Sequence, residues 1–122
     1  MNLALMALAA AQREADGIES RGYAWLITKD HMFADNPEYD DSGVTGPSDA
    51  PAHLLALLKQ GEGTVFKMYD DDGELYYSGR LVTTDEAEGT EDACYGPLGD
   101  FGMPNAGAVR IHYPSKPEWD CE

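Results

Sequence analysis

The side chains of this sequence with the most to offer chemistry are carboxylates, and they come in runs. Asp70, Asp71 and Asp72 stand together with Glu74 just beyond, Asp85, Glu86, Glu88, Glu91 and Asp92 follow, and Asp40 and Asp41 form an earlier pair. Three successive Asp before a Gly offer clustered hard oxygens to a cation such as calcium, but the twelve-residue spacing and terminal Glu of an EF-hand loop are missing. His31, His53 and His112 are scattered, and none pairs with Cys94 or Cys121 at zinc-ligand spacing. The sequence holds no Gly-x-Ser-x-Gly, Walker loop, Rossmann fingerprint or His-Glu-x-x-His, and Cys94 has no local nucleophile signature. No metal, no cofactor and no catalytic residue is expected, which leaves binding as the work the carboxylates could do.

Their distribution is uneven. Against 8 Lys and Arg the 122 residues carry 23 Asp and Glu, a formal net charge of -15. Direct binding to a nucleic acid backbone is excluded as a reading, and a charged partner should be basic. The stretches Asp35 to Asp49 and Asp70 to Asp92 hold 13 of the 15 net negative charges, with Arg80 their only base. A halophilic protein would spread its acids over every exposed segment. Crowded carboxylates repel one another at a cost to folding, which a cationic surface on a partner would offset. A DNA duplex carries one charge per roughly 1.7 Å of axis, so thirteen charges correspond to on the order of 22 Å of it. The plain alternative is a pair of acidic loops with no partner.

The elements that must position these runs follow from patterning. Residues 3 to 16 are Ala- and Leu-rich and free of Pro, a helix whose apolar part has no polar face and so must be covered, either by the domain's own sheet or by a second copy of the chain in a homodimer. Its apolar run Leu3 to Ala11 is about half a membrane span. The run resembles the core of a secretion signal, but no Lys or Arg precedes it and Arg13, Glu14 and Asp16 follow at once. Together with two cysteines lacking a framework, this points to a cytoplasmic protein.

Tyr23 to Thr28 is apolar on both parities, as a strand with neighbours on each side would be. Phe33 to Pro51 reads as a long polar loop. A helix follows, capped by Ser48 or Asp49, with Pro51 in its first turn, Leu54, Leu55, Leu57 and Leu58 as its apolar stripe and Gly61 closing it. Thr64 to Tyr69 and Glu74 to Thr83 form a β-hairpin, with Asp72-Gly73 as a two-residue turn. That turn pairs Met68 with Tyr77 and Phe66 with Gly79, and puts Leu75 and Leu81 on the same, buried face. Residues 84 to 107 read as an acidic and then a Gly/Pro-rich loop, and Val109, Ile111 and Tyr113 alternate as a last strand. The sum is one α+β domain over residues 1–122: a four-stranded, mainly antiparallel sheet with two helices on one face, in the order α-β-α-β-β-β.

The segments YAWLITKDHMF, GVTGPSDAP, FKMYDDDGELYYSGRLV and YGPLGDFGMPNAG resemble small proteins carried by phages, plasmids and other mobile elements. Over about residues 23 to 113 the chain is similar to the class of small acidic anti-defence proteins, the anti-CRISPR and anti-restriction inhibitors, some of which imitate DNA. That class is defined by role, so it transfers no site residue. The resemblance implies a non-enzymatic inhibitor in the host cytoplasm, bound to a basic protein such as a CRISPR effector or nuclease. Asp70, Asp71, Asp72, Glu74 and the Asp85 to Asp92 cluster would be its main patch, with Asp40 and Asp41 a second. Two other readings compete: an immunity protein or antitoxin that neutralises a basic nuclease, and a metal-binding or enzymatic anti-defence module.

Overall fold

A computed structural model describes residues 22–33 and 35–122, so the expected helix at residues 3 to 16 and its dimer surface lie outside the described residues. Among these residues five strands form one antiparallel sheet: β1 (Tyr23–Asp30), β2 (Thr45–Gly46), β3 (Thr64–Tyr69), β4 (Leu75–Thr83) and β5 (Arg110–His112), in the spatial order β2-β1-β4-β3-β5. The α+β class and the antiparallel sheet agree with the sequence, but the strand count and element order do not. The extra strand, β2, is two residues of the polar loop. Gly46 pairs with Trp25, and the indole covers the space a side chain there would need.

Of the two helices expected on one face only the second is described, and it and a helix the sequence did not predict cover opposite faces. Helix α1 (Ala52–Lys59) lays Leu54 and Leu58 on Ala24 and Val82, closing a small second core. It starts at Pro51 with no side-chain cap from Ser48 or Asp49, and it ends as expected at Gly61, where φ is 89°. The Gly61 and Glu62 amides donate to the Leu58 and Leu57 carbonyls, a standard left-handed helix ending.

The main core lies on the other face, where Tyr23, Trp25, Ile27, Phe66, Met68, Tyr77 and Leu81 meet the segment from Glu91 to Ala106. This segment corrects the reading of a Gly/Pro-rich loop. Helix α2 (Glu91–Pro97) runs through one π-helical turn (Leu98–Gly102) into the short α3 (Met103–Ala106). Gly96 is small where the Tyr23 ring of the sheet crowds against it and Gly102 where Met68 does, so packing overrides their low helix propensity. The last strand is real but shorter than expected, and Val109 is exposed while Ile111 and Tyr113 are buried.

The hairpin needs a finer correction. The Gly73 amide donates to the Asp70 carbonyl (3.1 Å) and the Asp70 amide to the Glu74 carbonyl (3.0 Å), a three-residue loop with Gly73 at φ 84°. That loop alone would slip the register by one residue. A one-residue bulge at Tyr76 undoes the slip: Tyr69 faces Leu75, yet Met68 faces Tyr77 and Phe66 faces Gly79, the pairs the sequence predicts. Leu75 therefore shares the face of Tyr69, not that of Met68.

Candidate functional site

Asp70 explains why the longer loop wins. Its Oδ1 accepts the amides of Asp72 (2.9 Å) and Glu74 (2.8 Å), a side-chain turn that folds the tip around one carboxylate. These backbone donors, Glu74 first, hold the Asp70 carboxyl below its ordinary range. The sign of the pH effect follows. A carboxyl depressed in the folded chain contributes stability above its unfolded pKa and loses it as pH falls through the folded value. Amide exchange at Asp72 and Glu74 should accelerate in acid relative to the Phe66 amide, and Asp70→Asn, which keeps an acceptor without a titratable charge, should abolish that acceleration. Unchanged protection of Glu74 at pH 2 would contradict this.

Strand β1 ends opposite the base of the same tip, since Asp30 pairs with Tyr77 and the His31 amide donates to the Tyr76 carbonyl (2.9 Å). Asp30 is completely buried. Its Oδ1 accepts the Met32 (3.0 Å) and Phe33 (3.1 Å) amides and its Oδ2 the Asp41 amide (3.1 Å), so one carboxylate gathers both limbs of the following loop. Asp41 in turn accepts the Tyr77 hydroxyl (3.3 Å), and Asp40 accepts the Ser42 amide (2.9 Å), which lowers its pKa. Asp40 and Asp41 thus stand at the same end of the sheet as Asp70, Asp71, Asp72 and Glu74.

The remaining run is elsewhere. Asp85, Glu86 and Glu88 follow β4 at the opposite end, where Thr83 pairs with Tyr23, so nine residues of strand, about 30 Å, separate them from the tip. The expected main patch of Asp70 to Asp92 is therefore split in two. Glu91 and Asp92 occupy the first turn of α2, beside the Thr90 cap that accepts the Ala93 amide (3.3 Å), where the helix dipole itself favours acids. Asp71, Asp72, Glu74, Asp85, Glu86 and Glu88 are exposed, and their side chains accept no hydrogen bond from the described residues.

Between the two ends runs a segment the sequence reading passed over. Cys121 bridges back to Ile111, laying the carboxy-terminal tail along β5. A cleft of about 640 Å³ is lined by Glu91, Asp92, Glu118, Asp120 and Glu122 together with Cys94 and Cys121. The adjoining cleft of about 310 Å³ continues from Asp120 and Glu122 to Tyr69 and Gly73 at the tip, with Arg110 and His112 interrupting the negative charge. The tail thus joins both acidic ends along one edge. Its readable signal was the alternation of Asp120 and Glu122 around an apolar Cys121, an extended strip with one acidic side.

The groups that could do covalent chemistry do not converge. His112 Nδ1 meets Asp120 Oδ2 at 2.7 Å, but the Ile111–Cys121 bridge turns the Cys121 thiol to the Ile111 side, away from them. Burial pushes the Cys94 thiol up to about 11 and raises that of Cys121 too, the reverse of what a nucleophile needs. His31 Nε2 bonds to the Ser78 hydroxyl (2.8 Å), and His53 is exposed on α1. Carboxylate oxygens of Asp70, Asp71 and Asp72 come within 4.8 Å of one another, but Asp70 Oδ1 already serves two amides. Among the described residues no helix is long and apolar enough to cross a membrane. No protein-family model, curated protein or solved structure matches the chain.

Proposed function

We propose that the protein is a stoichiometric, non-enzymatic inhibitor that offers its anionic edge to the nucleic-acid groove of a basic host defence protein, a CRISPR surveillance complex or a defence nuclease. The observation that carries this reading is the run of carboxylates Glu91, Asp92, Glu118, Asp120 and Glu122 around one cleft, which a second cleft extends past Arg110 and His112 to Gly73, between the acids Asp85, Glu86 and Glu88 at one end of the sheet and Asp70, Asp71, Asp72 and Glu74 at the other. These twelve side chains lie along about 30 Å of sheet, where a duplex would carry about 18 phosphate charges. Several of them, Asp71, Asp72 and Glu74 above all, do nothing for the fold, so a binding role accounts for a repulsion that folding alone leaves unrewarded.

The test uses duplex-binding assays with purified CRISPR surveillance complexes and restriction nucleases. The protein should displace DNA from a susceptible complex at a one-to-one ratio, and more weakly as salt rises. The triple substitution Asp71→Lys, Asp72→Lys and Glu74→Lys should weaken that competition at least tenfold while the thermal melt stays within a few degrees. Asp70 is left intact because it builds the loop. Inhibition that survives the triple substitution, or that proceeds with far less than one inhibitor per target, overturns the proposal.

A further inference from the structure

The same molecule carries a face of opposite charge. Helix α1 covers the Ala24 and Val82 end of the outer sheet surface, and among the described residues no helix covers the other half. Across it one row passes over four strands: Lys29 pairs with Ser78, Ser78 with Lys67, and Lys67 with His112. Cross-strand partners share a face, so these four side chains stand side by side. Arg80, opposite Val65, and Arg110, opposite Tyr69, flank the row on the same surface. Four of the six Lys and Arg among the described residues therefore occupy one half of one sheet face.

In so acidic a chain their company is informative. Among the described residues none of Lys29, Lys67, Arg80 and Arg110 makes an ion pair; the carboxylates near the patch include Asp120, engaged with His112, Asp70, beside Tyr76, and Asp30, whose charge acts on His31 against the two lysines. Arg80 donates to the Glu62 carbonyl (2.9 Å), and the Arg110 guanidinium lies over the Tyr69 ring at 5.8 Å. His31 adds its Nε2 at Ser78 Oγ, and burial together with Lys29 and Lys67 holds its pKa below the ordinary value. Lys29 and Lys67 flank Ser78 on either side, with Cβ atoms about 10 Å apart, a span two lysine stems close over a single oxyanion.

We propose that Lys29, Lys67, Ser78 and His31 form a binding site for a phosphoryl group. Two ammonium groups and the Ser78 hydroxyl, its oxygen bonded to His31 Nε2, stand on β1, β3 and β4 and match the several acceptor oxygens of a tetrahedral anion better than the two of a carboxylate. Tyr69, two residues along from Lys67 on the same face, borders the site, so a nucleotide could add ring contact where free phosphate could not. The site uses none of the carboxylates of the anionic edge, so it stands or fails independently of the inhibitor reading.

The experiment titrates the full chain with inorganic phosphate and, separately, with AMP, following backbone amide resonances and the His31 ring at constant ionic strength. Both should perturb Lys29, Lys67 and Ser78 saturably, and phosphate should raise the midpoint of His31 titration. Tighter AMP binding identifies a nucleotide as the source, and equal affinities identify the free anion. The double variant Lys29→Gln and Lys67→Gln, both on the outer sheet face beyond α1, should weaken binding at least fivefold without changing the melt. No saturable shift with either ligand, or shifts unchanged in the double variant, overturns the assignment.

Discussion

Replacing Asp30 with Ala should lower stability by about 3 kcal/mol or more, a fall in melting temperature on the order of 12–20 °C for a domain of this size. The loss does not come from charge. It comes from three backbone N–H groups, of Met32, Phe33 and Asp41, that turn inward to a fully buried carboxylate and would be left without it. An unsatisfied buried donor costs about 1–3 kcal/mol, and loop motion that lets water reach them recovers part of that. The loop between β1 and β2 would loosen, taking Asp40 and Asp41 from their place beside the hairpin tip. Asp30→Asn should fall in between, because it keeps one acceptor oxygen but turns an NH₂ group toward one or more of the same donors. Calorimetry of the three proteins, with amide exchange at Met32 and Asp41, checks both points. A melt of Asp30→Ala within about 2 °C of the parent would show that the loop is held by something else.

Asp30 also illustrates where the sequence falls silent. A single Asp between a strand and a polar loop is indistinguishable from any solvated loop acid, since its three partners are backbone groups that exist only in the folded chain. The hairpin was legible because alternation and an Asp-Gly pair are local signals. Its register was recovered even though the loop was not, for the three-residue loop and the bulge at Tyr76 shift the pairing in opposite directions. The exposed acids were legible as charges but not as a surface. Sequence proximity grouped Asp70 with Asp92, whereas β4 carries them to opposite ends and the tail, remote in sequence, reconnects them.

The segment misread most completely supplies the second large effect. In an isolated helix, Gly→Ala stabilises by about 1 kcal/mol, so the four glycines and two prolines of residues 96 to 107 argued for a loop. In the folded chain that preference reverses at Gly96. A Cβ there would overlap the Tyr23 ring, and a Cβ at Gly102 would overlap the Met68 sulfur. The Tyr23 ring cannot easily yield, because its hydroxyl donates to Asp100 Oδ2 (2.7 Å), which also accepts the Trp25 indole N–H (3.1 Å). Moving the ring breaks a pin between the helical segment and β1; moving the helix opens the core around Leu98 and Phe101. Gly96→Ala should therefore destabilise by about 1–3 kcal/mol, and Gly96→Leu by more, through overpacking. Shortening the obstacle supplies the control: in a Tyr23→Ala background, Gly96→Ala should cost much less than in the parent, a coupling that a double-mutant cycle measures directly. Additive losses would mean that the glycine serves helix geometry alone and that the contact with Tyr23 is incidental.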